Sequence, residues 1–375
     1  MSEKTFKVPD FSCYTIRTIK YEAEDFPKGI DTVHIGRSQN TFYDINFPKT
    51  VKTLILKEQE FNPFETLNLK DTKIKVLEFS YIYKFFHFCR LDGEMLPEGL
   101  EELEIWNVNT VKNLHVLKHL VRLKINTETK IEDGGLPEGL LSLSAPYNVI
   151  KEIQKKNLLP MNLKEMEIKI NKDLPKEEFS EEYKIPASVE TFKATAYQKG
   201  RNAWGGNNLK IDYKNSNVKH LELDHSSLNG EGLDGEMLPE SLETLKFLQY
   251  LPKKPIKNLN VLPNLKALKI WCSMVDYLLV DGGITLPENL EYLECYFKVF
   301  VELCMANKCP QNLKCVTLVD LGHFLNNNEY EGFKFPKNIQ TVNAPMLSLE
   351  DKIIFEERFG GIEINPEDLV IPYFN

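Results

Sequence analysis

The stretch Leu96–Ile105, LPEGLEELEI, returns as LPESLETLKF at Leu238–Phe247 and as LPENLEYLEC at Leu286–Cys295. A unit this short cannot bury its own apolar side chains, so its recurrence requires the copies to stack and bury them against one another. Aligned on the proline, the unit reads apolar, Pro, two variable residues, apolar, two variable residues, large apolar, one variable residue, apolar. The clear prolines are Pro27, Pro48, Pro97, Pro137, Pro160, Pro186, Pro239, Pro287, Pro310 and Pro336. Further copies beginning at Ile74, Leu120, Val218 and Leu265 keep the apolar spacing without it. Copies number about 14 and follow one another at about 24 residues, a period shorter than that of ankyrin, tetratricopeptide or propeller arrays.

Each unit ends in alternation, as in Leu103 and Ile105, Leu221 and Leu223, or Leu268 and Ile270. Alternation predicts a short strand with one face buried. Stacked side by side, the strands predict one parallel sheet on the concave side of a curved coil. The connecting segments, rich in Pro, Gly and Asp, leave little helix for the convex side. The proline ahead of each strand fixes φ where a missing N–H costs no ladder bond. Asp92-Gly93, Asp133-Gly134-Gly135, Asp234-Gly235 and Asp281-Gly282-Gly283 mark tight turns. The fold expected is thus a β-rich α/β solenoid over residues 26–346. An N-terminal cap is expected over 1–25, and a C-terminal cap helix and extended tail over 347–375, the helix opened by Ser348 with Asp351 three residues on. Leu245, Phe247, Leu268 and Ile270 are expected in the core.

The pattern xxGxLPxSLxxLxL, best kept in Leu233–Leu242, resembles the FNIP-type subclass of leucine-rich repeats, and Phe61-Asn62-Pro63 supplies the FN that follows a strand there. The LPExLxxLxV spacing is also similar to the repeats of certain bacterial effector ubiquitin ligases, whose separate catalytic domain has no room here. The resemblance implies a leucine-rich-repeat solenoid that presents a surface to a partner. It also leaves open a substrate-receptor or regulatory subunit of an enzyme complex such as a ubiquitin ligase.

Composition narrows the partner. The net charge of −9 opposes non-specific attraction to nucleic acid or anionic lipid. The first residues lack the apolar run of a signal peptide, and 18 successive apolar residues occur nowhere. Seven cysteines without CxxC spacing suit reduced thiols in a reducing compartment, mostly as small buried hydrophobes. A cytoplasmic monomer is expected, with another protein as partner, no nucleic acid, no membrane, no metal and no cofactor. His115 and His119 would share a face only on a helix, and no phosphate loop, nucleophile elbow or zinc-protease motif occurs. A non-catalytic role is expected.

The variable strand positions point away from the core. One column carries interleaved acids and bases, among them Glu104, Lys124, Glu167, Lys193, Glu222, Lys246, Lys269 and Glu294, and reads as a cross-strand ion-pair ladder. The next column places Leu248, Trp271, Tyr296 and Val319 in consecutive units, joined by Tyr292. An apolar and aromatic patch of this kind has the composition of a protein-binding hot spot, unless loops or the cap cover it. Trp204, in the basic insertion between Ala194 and Asn217, is a second candidate contact.

Overall fold

Where a repeat carries the proline, it opens with a turn closed on the proline carbonyl, which accepts the amide of the first buried apolar residue: Leu100 to Pro97 at 3.1 Å, Leu242 to Pro239 at 3.1 Å, Leu290 to Pro287 at 3.1 Å. The next two amides then reach a single carbonyl of the preceding repeat, as Glu243 and Thr244 do to Lys219 at 2.8 and 2.9 Å. That paired contact recurs along both units and sets the register of a rung before its strand begins. The computed structural model describes residues 4–8, 11–36, 38–59, 67, 69–81, 90–132, 134–171, 182–197, 209–224, 233–248, 256–271, 284–325, 332–345, 347–359 and 363–365.

Two compact units divide the chain, Met1–Lys169 and Ile170–Asn375. In the first, parallel strands pair in the order Thr5–Val8, Thr32–Ile35, Thr53–Gln59, Val76–Tyr81, Glu102–Trp106, Arg122–Ile125, Ser142–Pro146 and Glu165–Asn171. In the second the order is Thr191–Tyr197, His220–Asp224, Thr244–Leu248, Ala267–Trp271, Tyr292–Cys295, Cys315–Leu318, Thr341–Asn343 and Glu363–Asn365. Each sheet is open, and the class is the β-rich α/β solenoid that the repeat predicts. Leu245, Phe247, Leu268 and Ile270 are all buried, at 1% exposure or less. The ladder is longer than the expected 26–346, because Thr5–Val8 and Glu363–Asn365 both add rungs. The helix Leu349–Phe359 therefore interrupts the stack rather than ending it. Ser348 begins this helix by accepting the Asp351 amide at 3.1 Å. No helix among the described residues is long and apolar enough to cross a membrane.

Behind the sheets the chain repeats itself on a longer scale. LDGEMLPEGLEELEI (Leu91–Ile105) returns as LDGEMLPESLETLKF (Leu233–Phe247), and VKNLHVLKHLVRLKI (Val111–Ile125) as IKNLNVLPNLKALKI (Ile256–Ile270). The same parts build the same lock. Asp92 caps a 3-10 turn by accepting the Glu94 amide (3.1 Å), and takes Asn113 Nδ2 (3.0 Å) and Lys112 Nζ (2.9 Å) from the following repeat. Asp234 does likewise with Glu236 (3.1 Å), Asn258 (3.0 Å) and Lys257 (3.0 Å). The glycine after each Asp is compulsory: a Cβ on Gly93 would lie 2.3 Å from the Asn113 carbonyl oxygen, and one on Gly235 would lie 2.0 Å from that of Asn258. Asn113 and Asn258 both stand at φ 56°, a conformation asparagine tolerates better than most residues.

Two nine-residue helices correspond in the same way, Tyr147–Lys155 and Phe297–Met305. Each ends on a left-handed asparagine, Asn157 at φ 53° and Asn307 at φ 56°, and each folds the next amide back onto the helix, Leu158 to Ile153 at 3.0 Å and Lys308 to Leu303 at 2.9 Å. His115 lies in the 3-10 turn Leu114–Val116 rather than on an α-helix, so it shares no helical face with His119.

Candidate functional site

The charged column falls in register as the alternation predicts. In the second unit Lys193, Glu222, Lys246, Lys269, Glu294, Thr317 and Asn343 stand opposite one another along the sheet. Glu222 lies 3.7 Å from both Lys193 and Lys246. Such partly exposed, loosely spaced pairs are worth about 0–1 kcal/mol each. Burial pushes the Lys246 ammonium below its usual range, against the pull of Glu222.

One rung pair further the character changes, because Glu294 is only 6% exposed. Its Oε1 receives Lys269 Nζ at 2.8 Å and Trp271 Nε1 at 2.7 Å, and its Oε2 receives the Tyr292 hydroxyl at 3.1 Å. Lys269 Nζ also lies 4.2 Å from the centre of the Trp271 ring. A carboxylate withdrawn from water is tolerated when charge-assisted donors saturate it, and here the saturation fixes the indole: its N–H is spent on Glu294 and its face on Lys269. The sheet thus holds a half-buried tryptophan in one orientation.

The expected contact residues divide accordingly. Trp271 is half-buried, and Tyr296 and Val319, each the residue that follows its strand, are partly exposed as well. Tyr292 is 2% exposed, with its hydroxyl also 2.8 Å from Thr317 Oγ1, so it supports the cluster from within and offers no contact. Burial, with the Glu294 carboxylate beside it, pushes its phenol well above the usual range. Leu248 pairs with Trp271 in the ladder as expected, but its side chain lies outside the described residues, as does Trp204.

The first unit carries a counterpart node that sequence reading missed. Glu104 accepts Trp106 Nε1 at 2.8 Å, Asn126 Nδ2 at 2.7 Å and Lys124 Nζ at 3.2 Å. Burial opposes ionisation of Glu104, but Trp106, Lys124 and Asn126 outweigh it and hold the carboxyl below its usual range. The Asn126 carbonyl in turn accepts the Lys169 ammonium, which is 8% exposed and pushed down in pKa by its burial. The signal available in sequence was simple: residues two apart on a strand share a face, so a Trp two positions from a Glu, or beside one on the next strand, can donate to it. Reading the charged and aromatic columns as separate stripes hid this.

A comparison of the corresponding repeats locates where the two halves differ. Core positions stay apolar in both, with Leu103, Ile105, Leu123, Ile125, Met166 and Ile168 answered by Leu245, Phe247, Leu268, Ile270, Val316 and Leu318. On the polar face Glu104, Trp106, Asn126, Ser144, Pro146 and Lys169 are answered by Lys246, Leu248, Trp271, Glu294, Tyr296 and Val319. Neither any protein-family model nor any curated protein matches the chain.

Proposed function

We propose that the chain is a non-catalytic recognition module that binds another protein on the polar face of its parallel sheet, with Trp271, Tyr296 and Val319 at the centre of the contact. The observation that carries this reading is the internal comparison. Locks and helix ends are the same in both halves and the core stays apolar, whereas the polar face changes in chemical character at nearly every position. A face that only had to keep the sheet in water would have no reason to hold a tryptophan in a fixed orientation by a buried carboxylate. An aromatic fixed in advance loses little entropy on binding and brings a large area. The leucine-rich reading of the repeat, FNIP-like in its LPxSL turns, fits a scaffold of this kind. The net charge of −9 favours a protein partner over a nucleic acid. The free thiols Cys295, Cys304, Cys309 and Cys315 suit the cytoplasm.

The test compares two double variants against a partner captured from the native cell. Trp271→Ala with Tyr296→Ala, which also takes a donor from the buried Glu294 and so lowers stability, is expected to weaken binding at least ~30-fold, about 2 kcal/mol, when measured at a temperature where the variant is fully folded. Glu240→Ala with Glu288→Ala, on the turn side, is expected to leave binding unchanged. Binding that survives the first pair, or is lost with the second, would show that the contact lies elsewhere.

A further inference from the structure

Among the described residues two charged side chains are buried, Glu294 in the second unit and Lys169 in the first, and only one of them is complete. The Glu294 carboxylate is met on both oxygens by donors of its own chain, Lys269, Trp271 and Tyr292. The Lys169 ammonium, 8% exposed, carries three N–H donors and has one acceptor, the neutral side-chain oxygen of Asn126. Among the described residues no carboxylate lies within 4 Å of it. The polar groups around it are already engaged. Glu104 accepts Lys124, Asn126 and Trp106, and Glu167 accepts the Ser144 hydroxyl at 2.5 Å. Asn126 is held by Glu104 on its other side. Lys169 reaches it across Pro146, its neighbour in the ladder, whose ring offers neither donor nor acceptor. Burial pushes the Lys169 pKa down, and Glu167 and Glu104 oppose this only in part.

The fold does not demand a lysine here. Its side chain belongs to the polar face, opposite in sense to the fully buried Ile168, and the corresponding residue of the second unit is Val319. A buried ammonium without a counter-charge costs stability, and a residue that costs stability where an apolar one fits points to a ligand. We propose that Lys169 anchors an anion-binding site on the polar face of the first unit and that its ligand is a carboxylate. A carboxylate supplies one negative charge and the lone pairs for the N–H groups that Asn126 leaves unused. A phosphate dianion would set its second charge against Glu104 and Glu167. A free carboxylic acid and an acidic side chain of a protein carry the same chemistry. The site lies in the other unit from Trp271 and does not rest on the contact proposed there, so either can fail alone.

The experiment follows the ε-carbon resonance of Lys169 by NMR in the full chain, labelled with isotopic lysine, at fixed ionic strength. The signal is assigned by its loss in Lys169→Met, or in the charge-keeping Lys169→Arg where the first variant does not fold. Sodium acetate stands for the free acid and N-acetylglutamic acid α-amide for an acidic side chain. The expected result is a saturable shift with a carboxylate, together with a rise in the melting temperature of the parent that Lys169→Met lacks. Tighter binding of acetate assigns the free acid, and tighter binding of the amide assigns the side chain. The proposal is overturned if neither probe gives a saturable shift, which would mean that water completes the ammonium. It is overturned as well if the uncharged N-acetylglutamine α-amide shifts the resonance equally, if inorganic phosphate binds more tightly than both carboxylates, or if Lys169→Met gains as much in melting temperature as the parent.

Discussion

The phenol of Tyr292 lies 3.1 Å from Glu294 and 2.8 Å from Thr317, on the face a partner would have to reach. Its position in sequence, two residues before Glu294, marks it as part of an aromatic patch, and burial assigns it a different duty. Without that hydroxyl the carboxylate keeps Lys269 and Trp271 but loses the donor to its second oxygen. A buried acceptor left short costs about 1–3 kcal/mol. Tyr292→Phe is therefore expected to lower stability by about that amount in urea unfolding while leaving the partner-facing surface chemically unchanged. A loss below ~0.5 kcal/mol would mean that water replaces the hydroxyl and that the carboxylate is less enclosed than its burial implies.

At the scale of the element, the turn before each strand holds a device that alternation cannot reveal. In the second unit the residue just before the first buried apolar position donates from its side chain to the preceding turn: Asn217 to Ala187 (2.9 Å), Ser241 to Val218 (2.8 Å), Asn264 to Glu240 (2.9 Å), Asn289 to Pro263 (2.6 Å), Asn312 to Glu288 (2.9 Å) and Asn338 to Leu313 (2.6 Å). In the first unit the same position reads Gly29, Thr50, Lys73, Gly99, His119 and Gly139 before an asparagine returns at Asn162. Gly99 has no positive φ, and a Cβ there would meet nothing within 4 Å. Gly99→Asn is thus expected to stabilise, by about 0.4–1 kcal/mol from reduced freedom of the unfolded chain alone, and by more if the amide reaches the Thr72 carbonyl. A denaturant midpoint unchanged or lowered against the parent would show that the turn needs glycine there for a different reason.

Over the whole molecule, what the sequence made legible was what depends on spacing. The apolar alternation placed Leu245, Phe247, Leu268 and Ile270 in the core, and the charged column in register, because period and pleat are one-dimensional properties. What it hid depends on side chains meeting across repeats. The Asp-Gly pairs read as turns, and only the fold shows that Asp92 and Asp234 reach forward to a Lys-Asn pair in the next repeat. Likewise the extra rungs at Thr5–Val8 and Glu363–Asn365 have too little of the repeat pattern to be seen. The two locks make a prediction for the chain as a unit. Burial raises the pKa of each aspartate, but the lysine, the asparagine and the capped amide outweigh it and hold both carboxyls below their usual range. A carboxyl whose folded pKa is depressed contributes stability that is fully present above its unfolded value, near ~3.9, and is lost as pH falls through the folded value. Stability measured by urea midpoint should therefore fall as pH drops below ~4, with both locks contributing to the slope. Asp92→Asn with Asp234→Asn retains acceptors for the amides but gives up the charge that Lys112 and Lys257 pair with. This double variant is expected to be less stable than the parent at pH 7, to lose less on acidification, and to approach the parent at low pH, where both parental carboxyls are protonated. If its acid slope matches that of the parent, other carboxylates govern acid unfolding and the locks owe their strength to hydrogen bonding rather than to charge.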